Sequence, residues 1–522
     1  MNRSAATGGA GAGGGSGVDR AHGVAGRLLD LLLARPWIAL AAALVVHAAL
    51  WLAVQRDIHT ADPLYYATNA HNLAFHPADL LATRDQFVFV MRLGLTAPIA
   101  LAYRLFGVST LVTNLPCLLA GLAILAIASA AATTARGKLL AVAFAAVCTP
   151  LLLDGRELTP DLPCAAAMAA SILCLARRDR PRGAWWVAGA AVLWFAAFQI
   201  KEVAVWCAPA WIYAVIRDLR DRGGRRVVHT YAPAAAIGAA LAAGYLVSCA
   251  ALWGDPLVRF HGVEDAAAEH TWSLVGHPAR EWIARLTWQP AALLFELFRA
   301  ALVPAVLSPW LVRGRDRIWV VATAGILVLY WFGSSSAAVY LPLPPHRRML
   351  LPALPGLIIV AALASDAVLD RIRGPWPRLG LALAFAALLG YPHVVSLRKI
   401  AFDDRPESAA YARLRAEVAA TGDRVVLVCG DIRCPLYARF YFGFEPPANL
   451  TVILASQLAA TPLPDRVRVR LLAHVERSGG SGRELARRAE ALGLRPIAWH
   501  PEVRLYDAGD GARLRDALTG LP

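Results

Sequence analysis

The sequence predicts a mainly α-helical, polytopic membrane protein with about eleven transmembrane helices, an interfacial helix after the first span, and a small C-terminal extracytoplasmic α/β domain. Of its 522 residues, 58% are hydrophobic and only 17% are charged, against about 25% charged in an ordinary soluble domain. The apolar residues form long runs, and short arginine-rich clusters separate these runs. This alternation is what the positive-inside rule expects of a protein that crosses the membrane repeatedly.

The composition excludes several classes of protein. A mean hydropathy of +0.49 is too high for a plain soluble enzyme or an intrinsically disordered chain. Eight cysteines in 522 residues are too few for a disulfide-stapled miniprotein. The net charge of +15 would ordinarily indicate nucleic acid as a partner. Because the basic residues lie between apolar runs and not along a polar domain, we expect no nucleic-acid partner.

The spans follow a Gly/Ala-rich segment, residues 1–30, which is predicted to be a disordered cytoplasmic tail. The first apolar run, Pro36–Val54, has 19 residues, enough to cross a hydrocarbon core of about 30 Å. Residues 31–396 are therefore predicted to form a transmembrane domain. Its further apolar runs are 109–133, 138–153, 161–176, 184–200, 202–216, 230–253, 290–312, 318–333, 349–366 and 379–395.

One short segment, residues 93–107, decides the orientation of the spans. It is apolar, but it is short for a span and contains Pro98 and Arg104. If this segment lies on the outer leaflet as a helix and does not cross the membrane, every short basic loop lies in the cytoplasm. We therefore predict a multi-pass protein of the inner (plasma) membrane with a cytoplasmic N-terminus. The outer loops are then residues 55–108, 154–161, 254–289 and 334–348.

After about residue 396 the long apolar runs end, and residues 397–522 are predicted to form the extracytoplasmic α/β domain. Cys429 and Cys434 lie in this domain; they could form a disulfide or remain two unrelated buried thiols. Segment 467–474 fits a strand or a helix. The other patterns predict helices at 407–420, 435–443 and 482–492, and strands at 424–429, 450–454, 495–499 and 503–506.

Acidic residues of the first two outer loops are the candidates for catalysis. Asp62 follows the first span, and its neighbours Tyr65 and Tyr66 would partly desolvate a carboxylate that could act as a general base. The alternative is that Asp62 only caps a helix. Glu157 and Asp161 lie in the second loop between apolar helices, where charged groups are expected to face a water-filled site. Asp161 could also simply cap the next span.

Cations at the predicted outer ends of the spans are the candidates for phosphate binding. Lys201 could reach a lipid phosphate, or it could pair with Glu202 and close a hairpin. Arg347 and Arg348 follow His346 in the fourth outer loop. Adjacent arginines outside the membrane break the positive-inside trend, and Arg binds phosphate with two parallel hydrogen bonds. Snorkelling towards lipid headgroups is the alternative explanation.

Five short motifs follow one another along the chain: Asp-x-x-Tyr-Tyr at 62–66, Arg-x-Gly to Leu-Phe-Gly at 92–107, Leu-Thr-Pro-Asp at 158–161, Lys-Glu at 201–202, and Arg-x-Leu-Leu-Pro-x-Leu-Pro at 348–355. In this order they resemble the integral-membrane GT-C glycosyltransferases of the protein-O-mannosyltransferase and aminoarabinose-transferase type. The resemblance covers about residues 36–395. In that family the segment after the first loop is a juxtamembrane helix, which agrees with the orientation derived from charge.

The resemblance implies inverting transfer of a sugar from a polyprenyl-phosphate donor to an envelope acceptor (a glycan, lipid or protein) at the outer face. It implies Asp62 as the catalytic base and Asp161 as a second acidic catalytic position. Arg348 is implied as the ligand of the donor phosphate, and Arg347 and Lys201 are further candidates for it. The residues expected to contact substrate are Tyr65, Tyr66, Arg92, Glu157, Glu202 and His346.

The chain departs from the protein mannosyltransferases at two places. They carry an Asp-Glu pair where this chain has Asp62-Pro63, and their His-Pro-Pro-Leu stretch is replaced here by residues 89–92. These departures weigh against a protein acceptor. No cofactor is implied with certainty. A divalent metal is possible, because His59, Asp62 and neighbouring carboxylates could bind one.

Two other functions compete with sugar transfer. A transporter or flippase for a lipid-linked glycan would place charged groups near the bilayer midplane. The predicted spans carry few polar residues there, with His47 and Gln199 the visible ones. A structural scaffold with an extracytoplasmic binding domain would not explain the acidic outer loops and ranks last.

The orientation can be measured with reporter fusions. A reporter fused after residue 180 or residue 315 should report the cytoplasm, and one fused after residue 400 should report the outside, because every short basic loop is placed in the cytoplasm. A cytoplasmic signal from the fusion after residue 400 would contradict the eleven-span arrangement.

Overall fold

The computed structural model of the chain describes residues 30–58, 60–82, 87–269, 277–334, 345–372, 406–430, 433–458, 467–474, 481–499 and 503–509, together with positions 27, 340, 342, 343 and 461. In these residues an apolar helix bundle is followed by a small sheet with flanking helices. The predicted fold class, mainly α with a small C-terminal α/β domain, is confirmed. The predicted span 379–395 and most of the tail 1–30 lie outside the described residues.

The bundle consists of α-helices joined in places by 3-10 helices. The 3-10 helices are Glu202–Cys207, Arg299–Ala301, Gly314–Asp316 and Arg347–Ala353. The α-helices are α1 Pro36–Val54, α2 Ala61–Phe75, α3 Pro77–Ala82, α4 Phe87–Val90, α5 Leu93–Phe106, α6 Thr110–Ala131, α7 Ala135–Ala146, α8 Thr149–Leu153, α9 Asp161–Ala176, α10 Gly183–Ile200, α11 Ala208–Arg222, α12 Gly224–Trp253, α13 Val258–Glu269, α14 Ala279–Leu286, α15 Trp288–Phe298, α16 Leu302–Leu311, α17 Arg317–Phe332 and α18 Leu354–Arg371.

Five helical segments among the described residues are long and apolar enough to cross a membrane: α1, α6, α10, α12 and the segment Arg347–Arg371. The pair α15 and α16, bent by 104°, would make a sixth span. Helices α5 and α9 are apolar but shorter. The chain is thus a multi-pass membrane protein. The count of eleven crossings and the orientation of the termini stay predictions.

Several predicted spans are interrupted in the structure, and in two of them, 138–153 and 202–216, a proline lies where the second helix begins. Run 138–153 consists of α7 and α8, and Pro150 lies in the first turn of α8. Run 202–216 begins as a 3-10 helix and continues as α11, with Pro209 in its first turn. Proline cannot donate the backbone hydrogen bond that would continue the preceding helix, so it is favoured where a new helix begins.

Helix α5 corresponds to the predicted interfacial segment. It buries Leu95, Ile99 and Tyr103, which recur every four residues, and it exposes Leu101 and Leu105 on another face. An apolar residue every fourth position gives a helix one face for packing. The second apolar face is available for lipid, and placement on the outer leaflet stays a prediction.

At one end of the bundle, one buried and one partly buried ion pair join helices that are distant in sequence. Arg178 Nε lies 3.0 Å from Asp218 Oδ2, and both side chains are almost fully buried. Tyr231 Oη donates to the same carboxylate at 3.1 Å. Arg136 Nε pairs with Asp366 Oδ1 at 2.5 Å and links α7 to α18. These contacts satisfy charges that would otherwise be costly to bury.

The C-terminal domain contains a five-stranded sheet in the order β2-β1-β3-β5-β4. Strand β1 pairs in parallel with β2 and β3, and β5 pairs antiparallel with β3 and β4. The strands are β1 Arg424–Cys429, β2 Leu450–Leu454, β3 Val467–His474, β4 Arg495–Trp499 and β5 Val503–Gly509, and the helices are α19 Pro406–Ala420, α20 Cys434–Tyr441 and α21 Ser481–Ala491, with a 3-10 helix at Ala455–Gln457.

The elements predicted for this domain agree with the structure to within a few residues. Segment 467–474, which fitted a strand or a helix, is a strand. Its last six residues are all buried, as expected of the central strand of the sheet. The last strand extends to Gly509, beyond its predicted end at residue 506. Cys429 and Cys434 form a disulfide, with Cα atoms 6.0 Å apart.

The Arg178–Asp218 pair gives a test of the bundle. Asp218→Asn leaves a fully buried guanidinium beside a neutral amide, so the free energy of unfolding should fall by about 3–5 kcal/mol. Denaturation of the purified protein in detergent measures this. The matched control is Asp221→Asn, because Asp221 is 56% exposed in its pair with Arg217. The control should change stability by about 0.5 kcal/mol or less. Equal effects of the two variants would contradict the proposed importance of the buried pair.

Candidate functional site

Two loops predicted to lie on the outer face, the first and the fourth, meet through Asp62 and Arg348. Asp62 lies in the first turn of α2 and Arg348 in the 3-10 helix before α18. Arg348 Nη1 donates to Asp62 Oδ2 at 2.8 Å across 286 residues of sequence. The two side chains are 28% and 31% exposed, so the pair is open to a substrate. Thr60, not Asp62, is the N-cap residue of α2, so the helix-cap explanation for Asp62 is wrong.

A second pair, Asp161 with Lys201, lies buried between α9 and the end of α10. Lys201 Nζ donates to Asp161 Oδ1 and lies 3.4 Å from the Sδ of Met349, next to Arg348. The other carboxylate oxygen, Asp161 Oδ2, is buried and has no hydrogen-bond partner among the described residues. Asp161 is the first residue of α9 and Pro160 is the N-cap residue, so Asp161 does not serve as the cap.

Lys201 and Glu202 do not close a hairpin with each other. Lys201 has an extended backbone, with φ −155° and ψ 144°. Successive side chains of an extended chain point to opposite sides. Lys201 therefore reaches Asp161, and Glu202 reaches a different pair of cations.

Glu202 lies between two guanidinium groups. Arg92 Nη2 is 3.0 Å from Glu202 Oε2, and Arg259 Nε is 2.8 Å from Glu202 Oε1. Arg92 also donates to the hydroxyl of Tyr66. Two cations share one carboxylate here, so the cluster keeps a net positive charge that can attract an anion.

Arg259 is the residue that the sequence analysis missed. Its side chain is fully buried, and Nη2 donates to the carbonyl oxygen of Phe198 at 2.6 Å. The guanidinium carbon also lies 4.4 Å from the centre of the Phe198 ring. Arg259 belongs to a predicted outer loop, so its departure from the positive-inside trend was a usable signal, as it was for Arg347 and Arg348.

The remaining predicted residues lie around this centre. Arg347 pairs with Asp154, Nε to Oδ2 at 3.4 Å. Burial raises the pKa of the Asp154 carboxyl above its ordinary value, and the nearby Arg347 opposes the rise. Glu157 Oε1 accepts hydrogen bonds from the backbone N–H and the hydroxyl of Thr60 at 3.0 and 3.1 Å. His346 Nδ1 accepts from the backbone N–H of Arg348 at 3.3 Å.

Tyr65 and Tyr66 both pack on Phe89, with ring centres 5.2 and 5.0 Å apart. Tyr66 is fully buried, and this burial raises the pKa of its phenol well above the ordinary value. Tyr66 therefore remains a neutral hydroxyl beside Arg92. Tyr65 is only partly buried and borders the same aromatic group.

Arg285 of α14 connects the end of α17 to the segment that precedes His346. Its guanidinium donates to the carbonyl oxygens of Tyr330 at 2.9 Å and Trp331 at 3.2 Å, at the end of α17. It also donates to the carbonyl oxygen of Leu343 at 2.9 Å. Carbonyls in the last turn of a helix lack partners within the helix, and a cation there is favourable. Arg285 thus ties the segment before His346 to the bundle.

The C-terminal domain contacts the loop that carries Asp62. The backbone N–H of Ser408 donates to Asp57 Oδ2 at 2.8 Å, and Tyr441 Oη donates to the carbonyl oxygen of Ile58 at 3.2 Å. The His71 and Phe444 rings stack 4.3 Å apart. Helix α2 is therefore fixed on one side by the bundle and on another by this domain.

The structure thus places all eleven predicted site residues at one end of the bundle, in linked contacts. Carboxylates and cations are paired there, and one carboxylate oxygen of Asp161 has no hydrogen-bond partner in the described part of the chain. The described residues contain no group of three or more His, Cys, Asp or Glu side chains suited to a metal ion. His59 lies outside the described residues.

A family model described as dolichyl-phosphate-mannose-protein mannosyltransferase matches residues 95–247. Among curated protein sequences, none matches this chain. The match covers most of α5 and the helices up to most of α12. It includes Lys201 and Glu202, but it leaves out Asp62 and Arg348.

The fold is similar to that of ArnT from Cupriavidus metallidurans. The apo structure has a TM-score of 0.54 at 13% sequence identity, covering 91% of this chain and 98% of ArnT. The structure of ArnT bound to undecaprenyl phosphate has a TM-score of 0.52 at 15% identity, covering 90% of this chain and 98% of ArnT. The mannosyltransferase match and the ArnT fold confirm the resemblance that the sequence motifs indicated.

The shared carboxylate of Glu202 gives a test of the site's architecture. Glu202→Gln leaves the buried guanidiniums of Arg92 and Arg259 without their negative partner, so the free energy of unfolding should fall by about 3–5 kcal/mol. Thermal or chemical denaturation in detergent measures the change. Glu281→Gln is the control, because Glu281 is 43% exposed in a surface pair with His277. A Glu202→Gln variant as stable as this control would rule out the shared pairing.

Proposed function

We propose that this protein is a membrane glycosyltransferase that moves a sugar from a polyprenyl-phosphate donor to an envelope acceptor at the outer face of the membrane. The observation that carries the proposal is the partly exposed Asp62–Arg348 pair, which joins a potential proton acceptor to a potential phosphate ligand. The mannosyltransferase match and the ArnT structure bound to undecaprenyl phosphate support the donor class.

The reaction is a displacement at the anomeric carbon of the donor sugar. The acceptor oxygen forms a bond to this carbon from the side opposite the phosphate, and the bond between the carbon and the phosphate oxygen breaks. The electron pair of that bond leaves with polyprenyl phosphate. Asp62 takes the proton of the acceptor hydroxyl as the new bond forms. Attack from the opposite side inverts the configuration of the anomeric carbon.

Arg348 connects donor binding to the base. A donor phosphate that binds Arg348 competes with Asp62 for the same guanidinium, and this competition frees the carboxylate to accept a proton. Arg348 then opposes the negative charge that develops on the leaving phosphate. The exposure of the pair, about 30% on each side, supports access from outside.

Two further clusters support substrate binding. Arg92 and Arg259 share Glu202 and keep an excess positive charge, which favours a donor phosphate nearby. Asp161 keeps one carboxylate oxygen without a hydrogen-bond partner among the described residues, so it can accept from a sugar or acceptor hydroxyl. Lys201 neutralises Asp161, and its burial makes it a positioning group more than an open phosphate ligand.

Sugar transfer is preferred to the flippase alternative because of where the charges lie. The described ion pairs gather near the ends of the helices, in and around the loops. A transporter typically places such groups near the midplane, at broken helices. A lipid-linked donor keeps its tail in the bilayer, so a site among the loops at one end of the spans fits its phosphate and sugar.

Replacing Asp62 should abolish sugar transfer and leave folding nearly unchanged. Asp62→Asn removes the proton acceptor, so sugar transfer should fall to background in cells that carry this variant as their only copy. The pair with Arg348 is partly exposed, so its loss should cost only about 0–1 kcal/mol of stability. Mass spectrometry of the envelope product measures transfer, and thermal unfolding measures stability.

The control is Asp255→Asn, which removes an outer-loop carboxylate that pairs with the exposed His261. This variant should retain transfer. Full sugar transfer by Asp62→Asn would contradict the role of Asp62 as the base. Loss of transfer together with loss of membrane insertion would show a folding defect and would contradict the expectation that folding is nearly unchanged.

A further inference from the structure

A cavity of about 340 Å³ lies at the end of the bundle opposite the Asp62–Arg348 pair. It lies where α6 and α9 end and where α7 and α17 begin. The basic-loop pattern predicts that this end faces the cytoplasm. The proposed sugar transfer uses none of its residues.

The lining of the cavity changes from apolar to cationic. Ala131, Leu173 and Ala176 come from the last turns of α6 and α9, and the buried Trp319 comes from the first turn of α17. These side chains form an apolar wall along the helices. An inorganic anion gains nothing from such a wall, whereas a lipid can place its glycerol and acyl region against it.

The cationic part of the lining lies in the connections and first turns of the helices. It consists of Lys138, Arg177, Arg180 and Arg315, against the single carboxylate of Asp316. Arg315 lies near this carboxylate, Nε to Oδ1 at 3.8 Å. Lys138 and Arg180 form no ion pair within the described residues. The cavity therefore carries more positive than negative groups.

Two arginines that join helices at this end of the bundle are compensated by carboxylates. Arg178 pairs with Asp218, and Arg136 pairs with Asp366 and Asp370. Cations that hold helices together are thus paired inside the protein. Of the four cavity cations, Lys138 and Arg180 have no carboxylate partner within the described ranges, and both line the open space of the cavity.

We propose that this cavity binds the phosphate-bearing headgroup of an anionic phospholipid from the cytoplasmic leaflet. The four cations surround the phosphate, and the wall of Leu173, Ala176 and Trp319 contacts the apolar part of the lipid. Basic pockets between membrane helices on this side are suited to anionic headgroups, because each Lys or Arg near the surface attracts the lipid's negative charge. The bound lipid joins the ends of α6, α7, α9 and α17.

The test uses the full chain, purified in a nonionic detergent and titrated with dioleoyl phosphatidylglycerol while its thermal unfolding is followed. The lipid should raise the Tm with a saturating dose curve. Dioleoyl phosphatidylcholine, and inorganic phosphate at matched ionic strength, should not raise it. The variant Lys138→Gln/Arg177→Gln/Arg180→Gln should need at least about tenfold more phosphatidylglycerol for the same shift.

The matched control removes three exposed cations of the same predicted face, as Arg220→Gln/Arg225→Gln/Arg226→Gln. Its dose curve should be that of the unmodified chain. If the cavity triple variant does not fold, Lys138→Gln alone should need about fivefold more lipid, and Lys138→Arg should restore the original curve. Equal responses of cavity and control variants would overturn the proposal. A shift produced by inorganic phosphate alone would overturn the assignment to a lipid.

Discussion

Charge compensation at one end of an apolar helix bundle is the constraint on which the site depends. Burying a charge is costly unless a partner is present, and here the partners come from loops far apart in sequence. Arg348 reaches Asp62, Lys201 reaches Asp161, and Glu202 joins Arg92 to Arg259. Each pair therefore fixes the relative position of helices and keeps a chemically active group in place.

The pairs differ in exposure, and this difference assigns them different roles. The groups around Glu202 and the Asp161–Lys201 pair are largely buried. The Asp62–Arg348 pair is about one third exposed and can exchange partners with a substrate. Asp57 and Ile58, just before Asp62 in the chain, contact the C-terminal domain. The exposed pair is therefore supported from two sides, by the bundle and by the C-terminal domain, as the proposed sugar transfer requires.

Much of the architecture follows from patterns along the sequence, and much of the site does not. Apolar runs and the alternation of the C-terminal elements predict the helices and strands, because burial decides them locally. Arg348 stands out as a cation that breaks the positive-inside trend, and Asp62 as a carboxylate of a predicted outer loop. Their contact spans 286 residues and depends on how the helices pack. Lys201 pairs with Asp161 and not with Glu202 because its backbone is extended, and Arg259 lies in a stretch without a motif.

The central claim is that this protein transfers a sugar from a polyprenyl-phosphate donor to the cell envelope. Mass spectrometry of envelope glycans and lipids from cells with and without the protein tests it most directly. Cells without the protein should lack a glycan or lipid carrying one additional sugar, and they should accumulate the polyprenyl-phosphate sugar. Identical envelope glycans, lipids and donor levels in the two kinds of cell would contradict it.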